Sequence, residues 1–85
     1  MNLQTAIRNG NQELKRSNIS SWKLDAEILM SNVLKKKRDY VILNLSKDLS
    51  FSQLSHYKEL IKERSKGKPI SYLIGNKEFW KYEFK

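Results

Sequence analysis

Residues 64–84 read RSKGKPISYLIGNKEFWKYEF, and they place a helix stop, a restart and a change of period in close succession. The stretch holds the only proline and two of the three glycines. Gly67 stands at a helix C′ position, where only glycine enters the left-handed region without steric cost. Pro69 lacks an N–H and cannot prolong a helix arriving from before it. Residues 70–74 suit one or two helical turns closed by Gly75. Beyond them Trp80, Tyr82 and Phe84 alternate with Lys81, Glu83 and Lys85, the period of a strand with one buried face. A single strand cannot satisfy its ladder bonds, and even a hairpin is marginal in water. The tail therefore reads either as a frayed end or, as we expect, as the start of a linker into a further domain.

Upstream, the pattern is helical. Asn2 suits an N-cap for a helix running to about residue 17, with Leu3, Ile7, Gly10 and Leu14 on one narrow face. Gly10 weakens that helix by about 1 kcal/mol relative to alanine. A close helix crossing explains it, and so does a break. After a loop at 17–21, Ser20 is expected to cap a second helix, with Ile19 stapled onto Leu24. Asp25 and Glu27 favour its early turns, where the helix dipole welcomes negative charge. Trp22, Ala26, Leu29 and Val33 form its stripe, widened by Leu24, Ile28 and Leu34, as in the centre of a bundle. Residues 40–45 suit a short third helix, although β-branched Val41 and Ile42 keep a strand open. The fourth helix carries the clearest start: Ser50 and Gln53 form a capping box, and Leu49 faces Leu54 as a staple. Its buried face is expected from Leu54, Tyr57 and Ile61, with Phe51 and Leu60 beside them. The fold class is thus all-α, a monomeric bundle of four or five helices over residues 1–75, followed by a linker at 76–85 that opens a β-hairpin.

A net charge of +8 on 85 residues predicts attraction to polyanions or to an acidic protein surface. Lys35, Lys36, Lys37 and Arg38 form the only continuous charge run, and Lys62, Arg64 and Lys66 fall in the last turn of the fourth helix, with Lys68 just beyond. Adjacent cations point all round a helix end and complement its C-terminal dipole, whereas phosphate readers space them along one face among stacking aromatics. A recognition helix flanked by a tight turn is not evident, so specific nucleic-acid binding is not expected. The absence of cysteine excludes disulfides and thiolate zinc sites and suits a reducing, cytoplasmic compartment. No apolar run approaches the roughly 20 residues of a membrane span. His56, the sole histidine, has no acid pair or nucleophile near it in sequence and reads as a surface residue. The glycines are scattered, so no Gly-x-Gly cofactor loop is present. By itself the chain reads as a helical docking module, without catalytic, cofactor-binding or metal-ligating residues.

The motifs quoted above also carry a resemblance. DAEILMSNVL, followed by GKPISYLIG and KEFWKYEF, resembles the N-terminal domain of the release factor glutamine methyltransferases, the HemK/PrmC family. The family pattern runs roughly Arg-x-x-Gly-x-Pro-(Ile/Leu)-x-Tyr-(Ile/Leu)-(Ile/Leu)-Gly, then Glu-Phe-(Trp/Tyr). Arg64, Gly67, Pro69, Ile70, Tyr72, Leu73, Ile74, Gly75, Glu78, Phe79 and Trp80 match it. The family's Asn-Pro-Pro-Tyr motif needs adjacent prolines and is missing here, as is its glycine-rich cofactor loop. The resemblance implies a parent that uses S-adenosylmethionine to methylate the glutamine of a Gly-Gly-Gln loop in peptide chain release factors. This chain would be its non-catalytic, substrate-gripping part, joined to a C-terminal catalytic domain. Lys35, Lys36, Lys37, Arg38, Lys62, Lys66 and Lys68 are then the candidate contacts to the release factor. A basic nucleic-acid-binding helical module is the alternative that the charge alone suggests.

Overall fold

In a computed structural model that describes residues 1–74, the chain folds as five helices: α1 (Leu3–Arg16), α2 (Trp22–Leu34), α3 (Arg38–Leu43), α4 (Phe51–Ser65) and α5 (Ile70–Ile74). Among the described residues there is no strand, only an isolated bridge between Asn2 and Asp48. Gly75, Glu78, Phe79 and Trp80, and the alternating segment expected at 80–84, lie outside the described residues.

Helices α1, α2 and α4 pack against one another around a core of Leu3, Ala6, Leu14, Ala26, Leu29, Met30, Val41, Tyr57, Leu60 and Ile61. The start of α1 shows how its free N–H groups are met. Asn2 Oδ1 accepts from the Thr5 amide at 2.9 Å, while Leu3 and Gln4 donate to the carbonyls of Lys47 and Leu45. The α3–α4 connection is thereby stitched across the N-terminus. Gly10 is a close crossing and not a break, since α1 runs through it. A Cβ built there would stand 2.7 Å from Tyr57 Oη and 2.9 Å from Ile61 Cδ1. Glycine is what lets α4 lie this near α1.

The three longer helices end alike. A residue at the cap (α2) or just after it (α1 and α4) turns left-handed, and two amides close back onto the last turn, satisfying carbonyls the helix leaves free. Asn18 (φ 65°) does this for α1, Lys35 (φ 57°) for α2 and Gly67 (φ 103°) for α4. In α4 the Gly67 amide donates to Arg64 O and the Lys68 amide to Glu63 O. The glycine was legible from sequence, whereas the other two were not.

Four expectations need correction. The second helix is capped at Ser21, not Ser20, because the closing turn of α1 brings the Ile19 amide onto Leu14 O and a further turn follows to Trp22. Ser21 makes no side-chain bond to the backbone, and Leu24 is 43% exposed and so no staple partner. The segment at 40–45 is helical, but it starts earlier, at Arg38, and ends at Leu43, where the Asn44 side-chain amide donates to Tyr40 O. Arg38 is therefore part of α3, so only Lys35, Lys36 and Lys37 form the turn after α2. Phe51 is 86% exposed and off the buried face. At about 100° per residue it sits roughly 60° past Leu54, outside the arc that Leu54, Tyr57, Leu60 and Ile61 share. The rest of the fourth helix is as expected, with the Ser50–Gln53 capping box closed in both directions.

Candidate functional site

The family-pattern residues meet at the junction of α4 and α5, where their roles are structural. Arg64 Nε donates to Asp25 Oδ2 at 2.9 Å, and its Nη1 donates to Lys68 O at 2.8 Å. Ser21 Oγ donates to the same Asp25 oxygen at 2.8 Å. Asp25 is 4% exposed, so a buried carboxylate on α2 is held by a guanidinium from the end of α4. That guanidinium also grips the turn through Gly67. Pro69 O then accepts from the Tyr72 and Leu73 amides, which starts α5 and lets Ile70, Leu73 and Ile74 pack on the core. Arg64, Gly67 and Pro69 thus fix where α5 leaves the bundle. Tyr72 is 68% exposed beneath Lys68, whose Nζ lies 5.4 Å from the ring centre.

The candidate cations divide into two groups. Arg38 is paired with Glu27 at 2.9 Å, and Lys66 and Lys68 share Glu63 at 3.6 and 2.7 Å. The hydrogen bond from Lys68 holds the Glu63 carboxyl below its ordinary range, and Glu63 in turn raises Lys68. Lys35 and Lys62 make no ion pair among the described residues. Lys36 lies 5.4 Å from the centre of the Tyr40 ring, and Lys47 lies 5.6 Å from it while donating to the phenol oxygen at 3.0 Å. This hydrogen bond lowers the Tyr40 phenol from its ordinary value. The turn at 35–37 and the α4 end at 62–68 are separate parts of the surface.

Two open grooves border the bundle. One of about 420 Å³ lies between α1 and α4, walled by Ala6, Gly10, Leu54, Tyr57 and Ile61 with Lys58 and Lys62 at its edge. Burial pushes the Tyr57 phenol well above its ordinary value, and its hydroxyl donates to Ala26 O at 3.1 Å. The second groove, about 320 Å³, lies between α1 and α3 and is lined by Ile7, Arg8, Asn11, Val41 and Ile42 among others. His56 is exposed, and the described residues contain no group of acids or histidine able to hold a metal ion. No helix among them is long and apolar enough to cross a membrane.

Sequence reasoning missed Asp25, Tyr40 with Lys47, and Asn11. A signal for Asp25 was present: it stands four residues after Ser21 and beside Ala26 and Leu29 on the buried stripe, where an aspartate needs a cation. Nothing in the sequence pairs Lys47 with Tyr40, because the turn at 44–47 makes that contact.

The chain matches the family model described as PrmC N-terminal domain over residues 5–75. It is 46% identical over 66 residues to a release factor glutamine methyltransferase of Buchnera aphidicola subsp. Schizaphis graminum, covering 78% of this chain and 24% of the relative. It is 40% identical over 84 residues to the protein of that name from Buchnera aphidicola subsp. Baizongia pistaciae, covering 99% and 30%. A bifunctional methyltransferase of Rickettsia felis is 33% identical over 82 residues, covering 96% and 16%. The chain spans less than a third of the length of these curated relatives. No solved structure matches it.

Proposed function

The chain belongs to the PrmC N-terminal domain family, and from that premise we propose that it is the substrate-recognition bundle of an S-adenosylmethionine-dependent protein methyltransferase. The carrying observation is the family match over residues 5–75 together with relatives named release factor glutamine methyltransferase. On this reading residues 1–75 are the docking domain and 76–85 the linker to a catalytic domain that holds the methyl donor. The substrate is a peptide chain release factor, and the acceptor is the side-chain amide of its Gly-Gly-Gln glutamine. S-adenosylmethionine held by the catalytic domain would supply the methyl group, and the amide nitrogen that accepts it would give up a proton. The bundle supplies grip and orientation, not chemistry. The absence of cysteine suits work in the cytoplasm, and the protein acts as a monomer.

Physical support comes from the junction. The buried Asp25–Arg64 pair and the Gly67 turn hold α5 in one direction against the bundle, so a docking face on α1–α4 keeps a defined relation to whatever α5 leads into. Preorganisation of this kind lowers the entropy lost on binding. The nucleic-acid reading is less well supported. Three of the rings that could stack on bases, Trp22, Tyr40 and Tyr72, each already carry a lysine ammonium of the same chain.

The test is methyl transfer by the full-length protein from labelled S-adenosylmethionine to a release factor and to its Gln→Asn variant in the Gly-Gly-Gln loop. Label on the first and none on the second is the expected result. No transfer to either, with tight RNA or DNA binding at near-physiological salt, would overturn the reading in favour of the basic nucleic-acid module.

A further inference from the structure

α5 has five residues, none of them buried, and a helix this short cannot hold its own direction. Ile70, Leu73 and Ile74 rest on the core, but apolar contact is non-directional. Directional bonds stand just before the helix, and they converge on Arg64. Its Nε donates to Asp25 Oδ2 on α2, and its Nη1 donates to Lys68 O, one residue ahead of Pro69. Ser21 Oγ donates to the same Asp25 oxygen and anchors that acceptor at the start of α2. The pair is sheltered, with side-chain exposures of 18% for Arg64 and 6% for Asp25. One planar guanidinium thus fixes the carbonyl from which α5 departs against both α2 and α4, and its rigid fork tolerates little change of angle. A buried pair adds little net stability over apolar residues of the same volume, so stability is a weak reason for its presence.

We infer that Arg64 is a positioning residue for methyl transfer: by holding Asp25 and Lys68 O together it sets the direction in which α5 leaves the bundle, and so where a docked release factor stands relative to the catalytic domain. The inference rests on the docking reading above and adds to it the residue that governs presentation. Arg64 acts through α5 and not on the reacting atoms. A bundle that grips the substrate but points it wrongly keeps its affinity and loses rate, because a misplacement of about 1 Å can cost on the order of a hundredfold in rate. Grip and presentation are therefore separable in measurement.

The test uses the full-length protein with both charges removed, Asp25→Leu with Arg64→Met. Distances are measured between a spin label at Gln12→Cys, on the exposed side of α1, and a second label on the catalytic domain. Their distribution is expected to broaden or shift. Release factor Kd by calorimetry should stay within about twofold, while single-turnover methyl transfer at saturating release factor falls about tenfold. Arg64→Lys is the second variant, and it carries the test where melting shows the double variant unfolded. It keeps a counter-charge for Asp25, but one ammonium cannot reproduce the planar fork, so the same signature is expected with a rate loss of about threefold. An unaltered distance distribution and transfer rate in the folded variants overturn the inference and leave the docking function standing. A Kd raised about tenfold with the saturated rate intact also overturns it, since Arg64 would then act on binding. No release factor binding by the unaltered protein removes both.

Discussion

At the scale of single residues, two buried contacts decide more than any propensity. Gly10 in mid-helix costs about 1 kcal/mol against alanine in an isolated helix, so Gly10→Ala would ordinarily stabilise. Here the new Cβ meets Tyr57 Oη at 2.7 Å, and that hydroxyl is tied to Ala26 O. Overpacking in a filled core costs about 1–3 kcal/mol, so Gly10→Ala is expected to lower stability by about 1 kcal/mol in urea unfolding. The loss should shrink in a Tyr57→Phe background, where the clashing oxygen is gone. An unchanged loss there would show that Ile61 is the true obstacle. The Asp25–Arg64 pair has the opposite logic. Arg64→Ala leaves a buried carboxylate with only Ser21 Oγ and is expected to cost about 3 kcal/mol. Asp25→Leu with Arg64→Met removes both charges together and should restore much of that loss. A double variant as unstable as Arg64→Ala would mean that the bond to Lys68 O, not the ion pair, holds the junction.

At the scale of elements, the helix ends share one geometry with different residues. Gly67 has φ 103° and open space where a Cβ would go, so Gly67→Ala is penalised by backbone conformation alone. We expect a loss of about 1 kcal/mol. Lys35 has φ 57° in the same role, and Lys35→Gly should give a gain of about 0.5 kcal/mol. Two substitutions of opposite chemistry with opposite signs would establish that the left-handed residue governs both ends. Glu63 ties the end of α4 to Lys68 beyond it. Its carboxyl is lower in the folded state than in the unfolded chain, so its stabilising contribution is present above the unfolded value and is lost as pH falls through the folded one. Lys68 is raised, so its share is complete at neutral pH and is lost only as pH rises through its folded value. Lys68 is exposed and Glu63 half-buried at the surface, so salt should weaken the effect. Acid unfolding of Glu63→Gln compared with the unaltered chain, at low and at molar salt, checks this. A difference that persists in molar salt would rule out the surface pair as its cause.

At the scale of the whole molecule, net charge dominates. A chain of 85 residues at +8 repels itself, and its exposed pairs contribute little each. The melting temperature should therefore rise between about 10 mM and 150 mM salt, as screening relieves repulsion more than it weakens the pairs. A fall would show that the networks at Glu63 and Glu27 outweigh the repulsion. The same charge is unevenly partnered, since Lys66 and Lys68 share Glu63 while Lys36 and Lys47 make no ion pair among the described residues.

The local structure was legible in the sequence because it is governed by neighbours in the chain. Asn2 and the Ser50–Gln53 box start helices, Gly67 ends one, and the stripes through Leu3 and Ala26 mark the faces that become buried. These depend on dihedral preference and on periodicity, which act within a turn or two. The resemblance of the GKPISYLIG segment to a family was legible in the same way. What the sequence left open at Gly10 was decided by a residue 47 positions away, because whether a glycine breaks a helix or admits a neighbour depends on Tyr57. The pairing of Asp25 with Arg64, 39 residues on, likewise appears only once α2 and α4 have packed, and the clasp of Tyr40 by Lys36 and Lys47 only once the turns flanking α3 have formed. Packing alone determines which side of a helix is covered and which charges find a partner, and so the location of a docking surface belongs to the tertiary structure.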